Sequence, residues 1–305
     1  MAAAQKVWMD GKLVDYDKAN IHIMTHCMHY GGGVFEGIRI YETDRGRAIF
    51  RLREHMQRFL ESGKVISLKI PYDLDELCEA TREAVRANSE IKVDYIRPIA
   101  YYGVGTYGLN PIKLPTNVAI AVVYMGVYLG EEQMRKGAKL ITSSWEKPSN
   151  RAAATNAKIC GNYINSVLAR LEAVNKGADE ALMLNSEGNV AEGTGENIFM
   201  VRRGKIYTTP MTAGILEGIT RDSVMRISAD SGMPVIERDI TRSELYVAEE
   251  VFMTGTAAEV QPIHSIDNIV IGPGMPGPVT KKLQQALSEA THGKSQKYIG
   301  WLDFV

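Results

Sequence analysis

Lys158 stands among small and apolar residues, with Thr155-Asn156-Ala157 before it and Ile159-Cys160-Gly161 after it, at the start of a helical pattern. An amine so placed is open to desolvation, which lowers its pKa and leaves it nucleophilic enough to attack a carbonyl. Most lysines are solvated surface groups, so the segment alone leaves both readings standing. Three other stretches carry chemistry of their own. Ala191 to Asn197 puts Glu192 in a glycine-rich turn that feeds a strand; backbone approaches a ligand closely there, or the carboxylate simply caps the turn. Gly218-Ile219-Thr220-Arg221 joins a glycine to a helix start, whose N–H groups and dipole make an anion seat. Met253 to Glu259 offers a second set of small-residue backbone donors.

Two further patterns lose their force in context. Gly103-Val104-Gly105-Thr106-Tyr107-Gly108 matches G-x-G-x-x-G after a strand, but a dinucleotide site needs a helix to open at the third glycine. Here Leu109-Asn110-Pro111-Ile112-Lys113-Leu114-Pro115 follows, so a flexible loop is expected rather than a nicotinamide site. His22, His26, Cys27 and His29 crowd together without any recognised ligand spacing or a second cluster to complete four ligands, so no metal is expected. They read as structural residues of a strand and loop.

The elements that must position these groups can be read from composition and pattern. The chain has 305 residues, formal net charge −1, 45% hydrophobic and 23% charged residues. That balance excludes disorder, fibre and the basic footprint of a nucleic-acid binder. Three cysteines without CxxC spacing make no disulfide framework and point to a reducing compartment, the cytoplasm. The apolar run from Val118 to Gly130 is too short to span a membrane and reads as a buried strand, and Lys6 and Asp10 interrupt the N-terminus before any secretory h-region forms. Asp10-Gly11 between Val7–Met9 and Lys12–Val14 predicts a type I′ hairpin, and Asp73 with Glu76 predicts a capping-box helix reaching about Asn88. Strands are expected near 94–102, 117–128, 139–144, 180–184, 197–201 and 205–208, with helices over 53–62, 161–174, 220–231 and 278–290. This mixed order predicts an α+β fold, with a small N-terminal domain (1–125), a linker (126–137) and a larger domain (138–305).

Taken in order, the segments resemble the branched-chain amino-acid aminotransferases of the fold-type IV (class IV) pyridoxal-phosphate enzymes over nearly the whole chain. The resemblance is carried by His29-Tyr30-Gly31-Gly32-Gly33-Val34-Phe35-Glu36-Gly37-Ile38-Arg39, Arg53-Glu54-His55-Met56-Gln57-Arg58, Tyr95-Ile96-Arg97-Pro98, the Lys158 segment, Glu192 to Asn197, Gly218 to Asp222 and Gly255 to Glu259. It implies pyridoxal 5′-phosphate held by Lys158 as a Schiff base, with pyridoxamine 5′-phosphate in the other half-reaction and Lys158 moving the proton between Cα and C4′. It further implies Glu192 at the pyridine nitrogen, Tyr163 at the ring hydroxyl and Leu216 packed on the ring. Arg58, Gly218, Ile219, Thr220, Gly255 and Thr256 would seat the phosphate.

For the substrate, the resemblance implies an apolar wall of Tyr30, Phe35 and Tyr128 beside Gly37. Tyr95, Arg97, Thr256 and Ala257 would take carboxylates, and Arg39 would stand at the pocket entrance. The implied reaction moves an amino group between L-leucine, L-isoleucine or L-valine and 2-oxoglutarate by a ping-pong route, in a homodimer or higher homo-oligomer acting on amino and 2-oxo acids. The alternatives on the same scaffold are a D-amino-acid or (R)-amine transaminase and aminodeoxychorismate lyase; Tyr95-x-Arg97 with Arg39 argues for the branched-chain group.

Overall fold

The computed structural model describes residues 5–106 and 108–305; the first four residues and Tyr107 of the glycine-rich loop lie outside that range. The chain divides into two compact units. One comprises the residues through Gly126 together with Ala157–Asn162 and Ala290–Val305, and the other Val127–Asn156 with Tyr163–Glu289.

The first unit begins with β1 (Lys6–Met9) and β2 (Lys12–Asp15), then α1 (His26–Tyr30), β3 (Gly33–Phe35), β4 (Ile38–Thr43) and β5 (Gly46–Phe50). Helices α2 (Leu52–Val65) and α3 (Leu74–Arg86) follow, then β6 (Tyr95–Tyr102) and β7 (Thr116–Val123). The second unit holds α4 (Glu131–Lys136), β8 (Ala138–Thr142), α5 (Tyr163–Asn175), β9 (Glu180–Leu184), β10 (Val190–Glu192), β11 (Asn197–Arg202) and β12 (Lys205–Thr208). It continues with α6 (Ile219–Asp230), β13 (Val235–Glu237), α7 (Arg242–Tyr246), β14 (Glu250–Gly255), β15 (Glu259–Ile266), β16 (Ile269–Val270) and most of α8 (Pro278–Thr291). Strand β17 (Leu302–Phe304) closes the chain and belongs to the first unit.

The first sheet is antiparallel throughout, in the order β17-β5-β4-β6-β7-β1-β2, with β3 added on β6. At its β1–β2 turn φ is +49° for Asp10 and +88° for Gly11, the two positive values a type I′ hairpin requires. Alternation sets the faces. In β7 Val118, Ile120 and Val122 are buried while their neighbours are not, and α2 and α3 complete the core with Met56, Phe59, Leu77 and Val85. Asp73 caps α3 through the Glu76 N–H at 2.9 Å and the Glu76 carboxylate returns to the Asp73 N–H at 2.7 Å, so the capping box is complete.

The second sheet is mixed, in the order β10-β9-β8-β15-β14-β11-β12-β13 with β16 on β15. Its parallel pairs are β8–β9, β8–β15 and β12–β13, so helices and hairpins alternate along the chain and the fold class is α+β. Phe199 and Phe252 stand opposite each other on β11 and β14, stacked with ring centroids 5.0 Å apart and ring planes nearly parallel.

Three details depart from the sequence expectations. Residues 126–137 contain α4 rather than a bare linker, and the first unit takes back 157–162 and 290–305 because those stretches bond to its own strands: Val34 bridges Ile159, and Leu302 pairs with Phe50. His26 and His29 lie in α1, which ends at Gly31, and not on a strand. Strand β15 escapes notice because Gln261, Pro262 and His264 interrupt its apolar alternation; the buried Gln261 amide instead donates to the carbonyls of Gln133 and Pro262. Phe199→Ala should cost about 3–5 kcal/mol, since it removes one partner of a fully buried stacked pair. Thermal unfolding of the purified variant against the parent measures it.

Candidate active site

In the first unit one stripe of α2 gathers the chemistry. His55, Arg58 and Ser62 fall three and four residues apart and therefore on one face of the helix. Ser62 Oγ accepts the Lys158 N–H at 3.0 Å, and the Lys158 carbonyl accepts the Phe35 N–H at 3.1 Å. The Gly161 N–H donates to the Gly31 carbonyl at 3.1 Å and Ile159 bridges Val34, so Lys158 and Ile159 run beside β3 before the chain turns into a short 3-10 helix at Cys160–Asn162. Lys158 keeps some solvent exposure, yet protein atoms crowd around its amine. This desolvation, with Arg58 and Arg97 adding repulsion, outweighs the pull of Glu36 and brings the pKa from 10.5 to about 8. Its Nζ lies 4.8 Å from the Phe35 ring centroid.

Glu36 was not singled out from the sequence, and it is wholly buried. Its carboxylate accepts Arg58 Nε at 2.6 Å, Arg58 Nη2 at 2.9 Å, His55 Nδ1 at 2.8 Å and its neighbour's N–H at 3.2 Å. Burial pushes the carboxyl pKa up, but Arg58 foremost overcomes this and holds it well below the usual carboxylate range. Burial also pushes His55 down, so the imidazole is neutral and Nδ1 donates.

Of the residues expected to meet substrate, Phe35, Gly37, Tyr95 and Arg97 come together with Lys158. The Arg97 guanidinium lies 5.1 Å from the Phe35 ring and 5.4 Å from the Tyr95 ring, and Nη2 donates to the Tyr95 hydroxyl at 3.4 Å. A Cβ on Gly37 would stand 1.9 Å from that hydroxyl, so only glycine lets Tyr95 lie over the backbone. Arg39 is buried, paired to Asp94 at 3.0 Å, and donates to the Gly126 carbonyl at 2.7 Å. Asp94 also accepts the N–H groups of Met125 and Gly126, which makes Arg39 a clamp on that turn. Tyr30 closes α1 with its ring 4.7 Å from His26, half exposed.

In the second unit a register shift in β10 between Val190 and Glu192 turns the Glu192 side chain inward. Its carboxylate pairs with Lys147 Nζ at 2.7 Å and accepts Asn197 Nδ2 at 3.0 Å and the Leu216 N–H at 3.2 Å. Lys147 is nearly buried; burial would lower its pKa, but Glu192 and then the nearby Tyr163 raise it above the ordinary value, so it is an ammonium. Beyond Glu192 the turn closes with the Gly193 N–H on the Glu196 carbonyl at 2.7 Å. Thr194 and Arg170 both bond Glu180, and burial first, then Glu180, pushes the Glu196 carboxyl up. Gly218 is the N-cap of α6 and has no side chain to cap the turn that holds Ile219 and Thr220. Gly255 ends β14 opposite Glu259, and Thr256 and Ala257 lie in the turn from β14 into β15. Tyr128 is exposed, 5.9 Å from the Arg170 guanidinium.

Glu36, His55, Lys147, Asn197 and Asp94 are therefore the residues that the sequence reading passed over. Glu36, His55 and Asn197 stood inside the quoted motifs, and a charge in the apolar run from Val34 to Ile38 signals a buried pair. Nothing local marked Lys147 or Asp94. Among the described residues no helix begins between Gly103 and Thr116, no cluster of three metal-ligating side chains exists, and no helix is long and apolar enough to cross a membrane.

In the first unit the amine and the oriented guanidinium suit a carbonyl and a phosphate, and in the second the Glu192 carboxylate suits a basic nitrogen and the start of α6 an anion. Comparison with known proteins agrees. Residues 33–266 match the family described as amino-transferase class IV. The chain is 47% identical over 299 residues to the branched-chain-amino-acid aminotransferase of Pseudomonas aeruginosa, covering 98% of this chain and 97% of that one. It is 41% identical over 303 residues to the protein of the same name from Escherichia coli K12, covering 99% and 98%. The crystal structure of the T.th. branched-chain amino acid aminotransferase with pyridoxamine 5′-phosphate superposes with TM-score 0.95 at 49% identity, covering 100% of this chain and 99% of that one. For the E. coli enzyme's crystal structure the values are 0.96, 41%, 98% and 99%.

Two measurements check the geometry. Capture of free pyridoxal by Lys158 should rise with pH through a midpoint near 8 rather than 10.5, since only the neutral amine attacks. Gly37→Ala should destabilise the protein by about 1–3 kcal/mol, because the added methyl drives Tyr95 off its site, and urea unfolding reads it.

Proposed function

The chain belongs to the class IV aminotransferases, and from that premise we propose that it transfers the amino group between L-leucine, L-isoleucine or L-valine and 2-oxoglutarate in two ping-pong halves. The observation that carries the reading is Lys158: an amine whose pKa is brought to about 8, beside an apolar ring and two arginines. Pyridoxal 5′-phosphate, the cofactor of the class, supplies the aldehyde that takes up the amino group and a ring that accepts electron density when the Cα proton leaves.

Lys158 would hold that aldehyde and, as both base and acid, would move the proton at the substrate Cα. Its lowered pKa leaves a useful fraction neutral near pH 7.5, ready to accept the proton. Arg58 binds the phosphate with its planar fork, and Gly218, Ile219, Thr220, Gly255 and Thr256 add backbone and hydroxyl donors. Glu192, fixed by Lys147, Asn197 and the Leu216 N–H, would keep the pyridine nitrogen protonated. Tyr163 would donate to the ring hydroxyl, and Leu216 would pack on the ring.

Phe35, Gly37, Tyr30 and Tyr128 supply the apolar wall for branched side chains. Tyr95, Arg97, Thr256 and Ala257 take carboxylates, and the Arg97 guanidinium rests on aromatic faces when no second carboxylate is present. Arg39 acts from behind, by clamping the Met125–Gly126 turn. The enzyme works in the cytoplasm as a homodimer or higher homo-oligomer.

One cuvette series tests the activity. Protein loaded with pyridoxal phosphate should show a visible absorption band that both L-leucine and L-glutamate abolish. Bleaching by D-alanine or an (R)-amine alone would replace the proposal with a sister activity. Lys158→Ala should lose the band and at least roughly 10²–10⁴-fold in turnover; a variant that kept both would remove the lysine from its role.

A further inference from the structure

Beyond its pull on the Lys158 amine, the four-bonded carboxylate of Glu36 holds no group of the ligand in the chemistry above, and its neighbours suggest what it is for. A carboxylate offers about four lone-pair sites, and four donors converge on this one: Arg58 Nε on Oε1, and Arg58 Nη2, His55 Nδ1 and the Gly37 N–H on Oε2. Arg58 is held side-on through two of its N–H donors, which fixes the plane of the guanidinium. His55 and Arg58 stand one turn apart on α2, while Glu36 comes from the segment between β3 and β4. The anchor is thus independent of the helix that it steadies. A buried carboxylate costs several kcal/mol in desolvation unless it is fully paired, so a pair enclosed like this one is weak evidence of added stability and better evidence of a fixed geometry.

We propose that Glu36, backed by His55, is a positioning residue that locks the Arg58 fork into the orientation that grips a phosphate ester, so that this carboxylate sets part of the affinity for pyridoxal phosphate. The inference rests on the reading of Arg58 as the phosphate arginine. Glutamine in its place offers one carbonyl oxygen to the fork and turns an N–H₂ group toward the other guanidinium nitrogen. The guanidinium then keeps its charge and loses its fixed plane.

The test compares two probes on the apoenzyme, pyridoxal phosphate and pyridoxal without its phosphate, with binding followed by absorbance. Glu36→Gln should weaken pyridoxal phosphate by roughly tenfold or more, the scale of one charge-assisted hydrogen bond, and change pyridoxal by less than about twofold. Glu36→Asp, which keeps the charge, should recover part of the loss. Arg58→Met should show the same selective loss, and Glu36→Gln added to it should cost nothing more, because the paired charges are then removed together.

Three results overturn the proposal: pyridoxal phosphate bound by Glu36→Gln as tightly as by the parent, an equal loss for both probes, or a second full loss in the Arg58→Met background. Retained pyridoxal binding doubles as the check that a variant has folded. A parent protein that binds no pyridoxal phosphate would instead defeat the functional reading itself, and so the two failures are distinguishable.

Discussion

Desolvation of a single amine is the condition on which the first unit is organised. Lys158 sits in a six-residue stretch, 157–162, pinned by the Ser62 hydroxyl, the Phe35 N–H and the Gly31 carbonyl. None of these bonds touches the side chain; they fix the backbone and so hold the amine where protein atoms replace water. The balance is a narrow one. Glu36 favours the ammonium, Arg58 and Arg97 oppose it, and the result near pH 8 comes from burial winning by a moderate margin.

Each unit meets the burial of charge by the same means. Glu36 is enclosed with Arg58, Glu192 with Lys147, and Glu180 with Arg170. Such pairs rarely add stability, since removing two ions from water offsets most of their attraction. What they supply here is direction: each leaves a guanidinium or carboxylate oriented by several bonds instead of one. Asn197 joins the group as a neutral member, donating to both Glu192 and the Leu216 carbonyl. Glu192 therefore answers to three separate stretches of the chain.

Local physics made much of this legible in the sequence. The Asp10-Gly11 hairpin and the Asp73/Glu76 cap depend on neighbours a few residues away, and both stand as read; the apolar run from Val118 does form a strand, but it ends at Val123 and only alternate residues are buried. Lys158 and Glu192 stood out as candidates because glycine and small residues crowd the same short segments. Strand β15 did not, because it is stabilised by pairing on both sides with β14 and β8 and tolerates Pro262 and Gln261 at positions where local pattern forbids a strand. Lys147 was invisible for a related reason: its partner Glu192 is distant in the chain, and a lysine beside a proline looks like surface. Arg39 shows the opposite case. Its motif pointed to the pocket entrance, while its bonds to Asp94 and a backbone carbonyl are set by residues far along the sequence.

The edge of the first sheet carries a consequence for how the protein comes into being. Strand β17 pairs with β5 across roughly 250 residues of intervening chain, and Arg82 meets Asp303 there through a paired fork at 2.7 Å. A ribosome delivers β5 well before β17. During most of synthesis the sheet therefore waits with β5 as an open edge, its backbone donors and acceptors unpaired and its apolar face incomplete. The unit made first is finished last, and the interval between is when the nascent chain is most exposed to pairing with a stranger.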